Sequence, residues 1–131
     1  MRGGFLIAAD RGLFDRAAAA LVALGGTKAI DEAGNGVVQL TDTEGRLFTL
    51  YEHVFEGTEW EVREGTLTTA PGVRLPDMNL VTACPFDCRW PELAARIADT
   101  VARTAEAPTW VLDGDGVVWD AEAVDPLKAR L

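Results

Sequence analysis

Hydrophobic residues recur at the spacing of an amphipathic α-helix in two segments of the chain. The first predicted helix spans about residues 12–24 and stops at a pair of glycines. The second spans about 91–105 and begins at Pro91, a residue that suits the first helical position. The apolar stripes are formed by Leu13, Ala17, Leu21 and Leu24 in the first helix and by Leu93, Ile97 and Val101 in the second.

Shorter apolar or alternating runs, separated by Gly, Asn, Asp and Pro, predict β-strands in the rest of the chain. In the run 46–53, Leu47, Thr49 and Tyr51 are expected on one face of the sheet and the residues between them on the other. The predicted strands cover residues 5–9, 27–31, 37–41, 46–53, 78–84, 110–113 and 117–120, with an edge hairpin formed by 59–63 and 66–70.

This order of elements predicts an α+β fold: a largely antiparallel sheet with two helices packed on one face. The length of 131 residues fits a single domain, 1–131. Residues 27–39 align with residues 109–119, and each segment follows a strand and a helix. The alignment is consistent with a degenerate internal duplication of a β-α-β-β unit, and independent use of a common hairpin explains it as well.

Acidic residues outnumber basic ones along the chain. The sequence has 12 Lys and Arg against 21 Asp and Glu, which gives a net charge of −9 and a pI near 4.5. This balance argues against nucleic acid and against an anionic membrane surface as partners, because both are bound through clustered cations. It favours a basic protein partner attracted by the long-range field, and it also suits a protein that needs charge only for solubility.

The hydropathy pattern predicts neither a membrane span nor a secretory signal. No apolar run approaches the length of a transmembrane helix, and the run at 5–9 is too short for the core of a signal peptide. We therefore expect a cytoplasmic protein, in which Cys84 and Cys88 stay reduced.

The residues that common enzyme motifs require are missing. The chain contains no serine, which excludes Ser-His-Asp catalysis, and it has neither a P-loop nor a G-x-G-x-x-G loop. Cys84 and Cys88 lie between a predicted strand and a predicted helix, where a helix N-terminus would stabilise a thiolate, but their spacing differs from C-x-x-C. Two buried, reduced cysteines are the simpler interpretation. The sequence thus favours a role that is not enzymatic and needs no cofactor.

Two groups of residues have the types that a metal site needs, and each has a simpler interpretation. Cys84, Cys88, Asp87 and His53 include zinc ligands, but nothing in the sequence brings His53 to the others. The Asp-Gly-Asp-Gly segment at 113–116 is spaced in part like a calcium loop but lacks its first carboxylate, and a hairpin turn accounts for it. We therefore expect no metal.

Acidic residues around the predicted edge hairpin are the candidate binding residues. Glu59 and Glu61 lie on the polar face of an alternating strand, Trp60 lies on its other face, and Glu52 ends the preceding strand. An aromatic anchor with a charged rim is typical of a protein interface. Packing of Trp60 into the core, with the glutamates solvated, is the alternative. The edge hairpin also leaves a homodimer open, through strand pairing or through Trp60.

Residues 4–52 resemble one βαβββ module of the vicinal-oxygen-chelate family, which includes glyoxalases and small drug-binding resistance proteins. The likeness lies in the order of elements, in the acidic turn at 42–45 and in Glu52, which matches the metal-binding Glu at the end of the family's strand. The first strand here carries no His, and the second half has no third strand with a matching Glu. The resemblance therefore implies a metal-free cupped sheet that could hold a ligand.

Three functions follow as hypotheses from these observations. The first, which the sequence favours, is a small acidic interaction domain, immunity-like or regulatory in kind, that binds a basic protein partner through Glu52, Glu59, Trp60 and Glu61. The alternative is a small-molecule-binding protein whose ligand occupies the cupped sheet. The third is an enzyme that acts through Cys84 and Cys88, which would require that their thiols react quickly at neutral pH.

Overall fold

The computed structural model describes residues 3–53, 67–105 and 107–131. Within those ranges the chain forms eight strands and two helices. The strands are β1 (Gly3–Ala8), β2 (Thr27–Ile30), β3 (Gly36–Thr41), β4 (Leu47–Tyr51), β5 (Thr68–Thr69), β6 (Thr82–Cys88), β7 (Thr109–Leu112) and β8 (Val117–Asp120). The helices are α1 (Leu13–Ala23) and α2 (Pro91–Arg103).

All eight strands belong to one sheet, in the order β2-β3-β4-β6-β1-β7-β8-β5. Every neighbouring pair is antiparallel except β5 and β8, which are parallel. Strands β1 and β6 lie side by side at the centre, although they come from opposite halves of the chain. The predicted α+β class and largely antiparallel sheet are confirmed; the internal duplication stays a prediction.

Both helices pack on the same face of the sheet, and the main core lies between them and the strands. Alternate residues of the central strands, such as Leu6 on β1 and Phe86 on β6, join the buried faces of α1 and α2 in one cluster. Phe48 and Phe86 stack there with ring centroids 5.2 Å apart. Burial of this apolar surface is the main stabilising contribution to the fold.

The opposite face of the sheet is covered in part by residues of the segment 67–81. Met78 and Val81 from this segment pack with Ile7, Leu112 and Val118 in a second, smaller core cluster. This cluster lies over β1, β7 and β8. The same face of β3 and β4 carries mostly polar residues, in agreement with the predicted alternation along β4.

The predicted strand at 78–84 is displaced to Thr82–Cys88. Met78, Asn79 and Leu80 form a turn instead, in which Asp77 accepts hydrogen bonds from the backbone N–H groups of Asn79 and Leu80, each at 3.0 Å. The hydrophobic pattern of residues 78–84 does not distinguish a strand from a packed turn, because a short apolar run is compatible with both. The cysteines therefore lie inside β6 rather than in a strand-to-helix connection.

Strand β6 contains Pro85 although β6 is a central strand. The pairing of β6 with β4 runs over Phe86, Asp87 and Cys88 only, so Pro85 lies just outside that ladder. On the other side, Pro85 pairs with Phe5 of β1. A proline has no N–H to donate, and a position at the end of a ladder tolerates it best.

The helix ends largely follow the expected signals. Gly25 has φ +102°, and the N–H groups of Gly25 and Gly26 bond the carbonyls of Val22 and Leu21, which closes α1 in a Schellman motif. Gly12 is the N-cap of α1, and its N–H donates a hydrogen bond to the Asp10 carboxylate at 2.8 Å. In the described part of the chain, neither helix combines the length and the apolar character needed to cross a membrane.

Candidate interaction surface

The structure describes one of the four predicted binding residues. Glu59, Trp60 and Glu61 lie outside the described residues, so their role stays a prediction. Glu52 follows β4, and its carboxylate accepts a hydrogen bond from the Gly36 N–H at 2.8 Å. This contact joins the end of β4 to the start of β3. Its carboxylate lies 3.8 Å from the exposed His53 ring.

Trp90 is an exposed aromatic residue that the sequence analysis did not single out. It is the N-cap residue of α2, directly before Pro91, and 43% of its surface is accessible. The guanidinium carbon of Arg46 lies 6.0 Å from the centre of its ring, at the limit of a cation–π contact. The sequence could have identified Trp90 as a candidate, because it is an aromatic residue that lies outside the apolar stripe of its helix.

Arg46 is surrounded by carboxylates. Its Nε lies 2.8 Å from Oδ2 of Asp42 and 3.2 Å from Glu44, and a terminal nitrogen lies 3.9 Å from Glu92. The Arg46 backbone N–H and then its side chain hold the pKa of Asp42 below its usual value. The hydrogen bond to Asp42 in turn raises the pKa of Arg46. Both groups are therefore fully charged at neutral pH.

These residues form a surface that we name the acidic–aromatic patch: Asp42, Glu44, Arg46, Trp90 and Glu92. Its three carboxylates outnumber its one guanidinium, so the patch has a negative charge. Glu44 and Glu92 are exposed, with 69% and 63% of their side-chain surfaces accessible. A solvent-accessible indole close to an excess of carboxylates is suited to receive a cationic side chain.

A second group of polar residues lies on the face of the sheet opposite the helices. We name it the polar-face cluster: Gln39 on β3, Thr49 and Tyr51 on β4, and Asp87 on β6. The register pairs Gln39 with Thr49 and Thr49 with Asp87. The Gln39 amide donates to the Thr49 hydroxyl at 3.4 Å, and the Tyr51 hydroxyl donates to Oδ2 of Asp87 at 3.2 Å.

The two carboxylate oxygens of Asp87 have different surroundings. Oδ2 accepts the Tyr51 hydroxyl, whereas Oδ1 is shielded from solvent and has no hydrogen-bond partner in the described ranges. Burial, followed by the neighbouring Asp87 charge, raises the pKa of Tyr51, so its hydroxyl keeps its proton and remains a donor. A shielded carboxylate oxygen without a donor is unfavourable, which marks this position as a candidate binding group.

The cysteines have the properties of core residues. Cys84 and Cys88 are free and buried, and both lie on the helix side of β6. Burial and then the Glu52 charge raise the pKa of Cys84 to about 12, and burial raises the pKa of Cys88. Because the thiolate is the nucleophile, neither thiol is activated at neutral pH.

Asp113 organises the turn between β7 and β8. It is 5% exposed, and its Oδ1 accepts the N–H groups of Asp115 and Val117 at 2.9 and 3.0 Å. Its Oδ2 accepts the Trp119 indole N–H at 3.0 Å and the Arg130 N–H at 3.2 Å. These bonds use the oxygens that a calcium ion would need. Among the described residues, no group of three or more His, Cys, Asp or Glu is arranged to hold a metal ion.

Comparison of the chain with protein-family models, with characterised proteins and with solved structures finds no match. The vicinal-oxygen-chelate resemblance therefore stays a likeness of element order and of Glu52.

Proposed function

We propose that this protein is an acidic, non-enzymatic interaction domain that binds a basic protein partner through the acidic–aromatic patch. The observation that carries the proposal is the arrangement at Trp90, where an accessible indole lies 6.0 Å from the guanidinium of Arg46, which three carboxylates pair in turn. Arg46 already makes the type of contact that a partner's cation would make there.

The charges of the patch and of the whole chain favour the same kind of partner. The net charge of −9 would attract a basic protein over distances of about 8 Å at physiological salt. At the patch, Glu44 and Glu92 would form the polar rim and Trp90 the aromatic anchor of an interface. Nucleic acid is an unsuitable partner for the same reason, because its phosphates would be repelled.

The proposal also includes a cellular compartment and a mode of action. We place the protein in the cytoplasm, where its two free thiols stay reduced. In this proposal the protein acts by binding and uses no cofactor. The raised pKa values of the two buried thiols support a non-enzymatic role, because neither thiol is an activated nucleophile at neutral pH. The predicted residues Glu52, Glu59, Trp60 and Glu61 remain candidates for further contacts with the partner.

A second candidate is a homodimer formed by strand pairing. All four residues of β2 are exposed, Ile30 with 72% of its surface accessible, and β2 is the edge strand of the sheet order. An exposed edge offers backbone groups for pairing with another chain, although Lys28 on this edge opposes it. Analytical ultracentrifugation of the protein and of an Ile30→Pro variant tests this state, because Ile30 pairs with Gly36, whose carbonyl bonds β4, so the Ile30 N–H faces the free edge. A dimer that the proline abolishes supports it.

Native mass spectrometry of the protein purified from its own cells is the first test. A bound basic polypeptide is expected, and it would identify the partner. The complex should weaken as salt rises from about 50 to about 200 mM, because rim charges are screened. A retained small molecule would favour ligand binding on the cupped sheet instead.

Charge reversal then locates the interface. In a Glu44→Lys/Glu92→Lys variant, affinity for the partner should fall at least tenfold, because two rim carboxylates become repulsive. The matched control is Glu32→Lys/Glu122→Lys, which changes the net charge equally at two other exposed positions. An equal loss in both variants would show that only overall charge matters and would reject the patch.

A further inference from the structure

The carboxylate of Asp87 is held in place by a hydrogen bond to one of its oxygens, while the other oxygen has no hydrogen-bond partner among the described residues. The Tyr51 hydroxyl holds Oδ2 at 3.2 Å, while Oδ1 is shielded from solvent and accepts no hydrogen bond from any described residue. A shielded acceptor without a donor is destabilising by an amount comparable to a lost hydrogen bond. A bound group that donates a hydrogen bond to Oδ1 would remove this penalty.

The residues that pair with Asp87 on the two neighbouring strands have small side chains. Across β1 its partner is Gly3, which has no side chain on this face. A Cβ at Gly3 would overlap the carbonyl oxygen of Phe86, so the close approach of the two strands requires glycine there. Across β4 its partner is Thr49, whose hydroxyl is a further polar group.

We propose that Asp87 binds a guanidinium group on the face of the sheet opposite the helices. A guanidinium is planar, donates several hydrogen bonds and is weakly hydrated, so it loses less than an ammonium group on entering a partly shielded position. It forms charge-assisted bonds with a carboxylate and stacks on aromatic rings. Tyr51 and the half-buried Phe5 are two aromatic residues of this face.

The position of Asp87 connects this site to the acidic–aromatic patch. Asp87 precedes Trp90 by three residues, and Thr49, its partner on β4, follows Arg46 by three. Leu47, which is 46% exposed, lies between the two groups on β4. The inference therefore rests on the proposed function where the guanidinium is an arginine of the basic partner. A free guanidino compound is the other source of the same chemistry.

The test is a titration of the isotope-labelled protein, followed by NMR, with N-acetyl-arginine methylamide. Saturable shifts are expected at Gln39, Thr49, Tyr51 and Asp87, with a dissociation constant on the order of millimolar for so small a probe. N-acetyl-citrulline methylamide, which is neutral and of the same shape, should cause none of them. A titration with methylguanidinium distinguishes the two sources of the guanidinium group. An affinity equal to that of the arginine probe indicates a small guanidino compound, and a weaker affinity indicates an arginine in a polypeptide.

Variants test whether the arginine probe binds at Asp87. Asp87→Asn should weaken arginine-probe binding at least tenfold, whereas Asp120→Asn, the matched change on β8, should leave the affinity within twofold. If Asp87→Asn fails to fold, Tyr51→Phe replaces it and should weaken binding several-fold by releasing the carboxylate. Absence of saturable shifts, equal binding of the citrulline probe, or equal losses in the two Asp variants would overturn the proposal.

The proposal of a basic protein partner and the proposal of a guanidinium site at Asp87 can be refuted independently. If no basic protein partner exists, the arginine probe still binds at Asp87. If Asp87 binds no guanidinium, a basic partner still depends on Glu44 and Glu92 at the acidic–aromatic patch. Charge reversal at Glu44 and Glu92 should therefore change the affinity of the arginine probe far less than Asp87→Asn does.

Discussion

The guanidinium of Arg46 lies over the indole of Trp90, with its central carbon 6.0 Å from the centre of the ring. The two residues are brought together by the pairing of β4 with β6, since Arg46 precedes β4 and Trp90 follows β6. Asp42 holds the same guanidinium at 2.8 Å, so the arginine is fixed between a carboxylate and the ring. A partner's cation would compete with Arg46 for this position.

Removal of Arg46 should strengthen the binding of a basic peptide. In Arg46→Met the aliphatic stem is kept, while the internal cation that offsets Asp42, Glu44 and Glu92 is lost. We expect a severalfold higher affinity for a peptide of alternating arginine and glycine, measured by tryptophan fluorescence. Arg103→Met, which removes an exposed arginine paired with Asp99, is the control with the same charge change. A weaker complex of Arg46→Met would show that Arg46 itself supports binding.

Loss of the Asp113 carboxylate should strongly destabilise the fold. Four donors bond this buried side chain, among them the Trp119 indole. In Asp113→Ala these donors lose their acceptor, and we expect the free energy of unfolding to fall by about 2–4 kcal/mol in urea titrations. Asp115→Ala, two residues away and exposed, should change it by less than about 0.5 kcal/mol. Similar losses in both variants would contradict the role of Asp113.

Cys84 should react very slowly with thiol reagents in the folded protein. A pKa near 12, against an ordinary value of 9.0, reduces the thiolate fraction at about pH 8 by about 1000-fold. Iodoacetamide labelling followed by mass spectrometry measures this rate, and the urea-unfolded chain is the control. Labelling of Cys84 at the rate of a free thiol would reopen the enzyme hypothesis.

Burial of the Cys84 thiol should also make the protein less stable at high pH. The folded pKa lies above the unfolded value, so between about pH 9 and about pH 12 the unfolded chain binds fewer protons than the folded one. Stability is therefore full below pH 9 and falls as the pH rises, by up to about 1 kcal/mol per unit.

Cys84→Ala should remove this contribution. Its unfolding free energy is expected to decline less steeply with pH than that of the parent chain, whereas Tyr51 and Cys88, whose pKa values are also raised, titrate in both proteins. Urea titrations at a series of pH values measure the difference in slope. Parallel pH profiles would show that Cys84 ionises in the folded state as it does in the unfolded one.

Glu52 should contribute to stability through its oxygen rather than through its charge. Its carboxylate accepts the Gly36 N–H at 2.8 Å. Glu52→Gln keeps an acceptor oxygen and should lose less than half of what Glu52→Ala loses, which we expect to be about 1 kcal/mol. Equal losses in urea titrations would show that the negative charge, not the hydrogen bond, is what counts at this position.

Much of the secondary structure followed from local patterns. The stripe of Leu93, Ile97 and Val101 predicted α2, and the alternation of Thr49 and Tyr51 with their neighbours predicted the two faces of β4. The strand predicted at 78–84 failed because a short apolar run does not determine whether it pairs in a sheet or packs as a turn.

The sequence alone therefore determined the helices, most strands, the α+β class and the acidic character, since each depends on spacing or composition within short segments. Only the tertiary structure decided which polar residues meet. Tyr51 and Asp87 are 36 residues apart along the chain and are joined by the register of β4 against β6. The same pairing places Arg46 against Trp90. No tight turn joins β4 to β6, so turn geometry does not fix their register, and it depends on which faces of the two strands the tertiary packing buries.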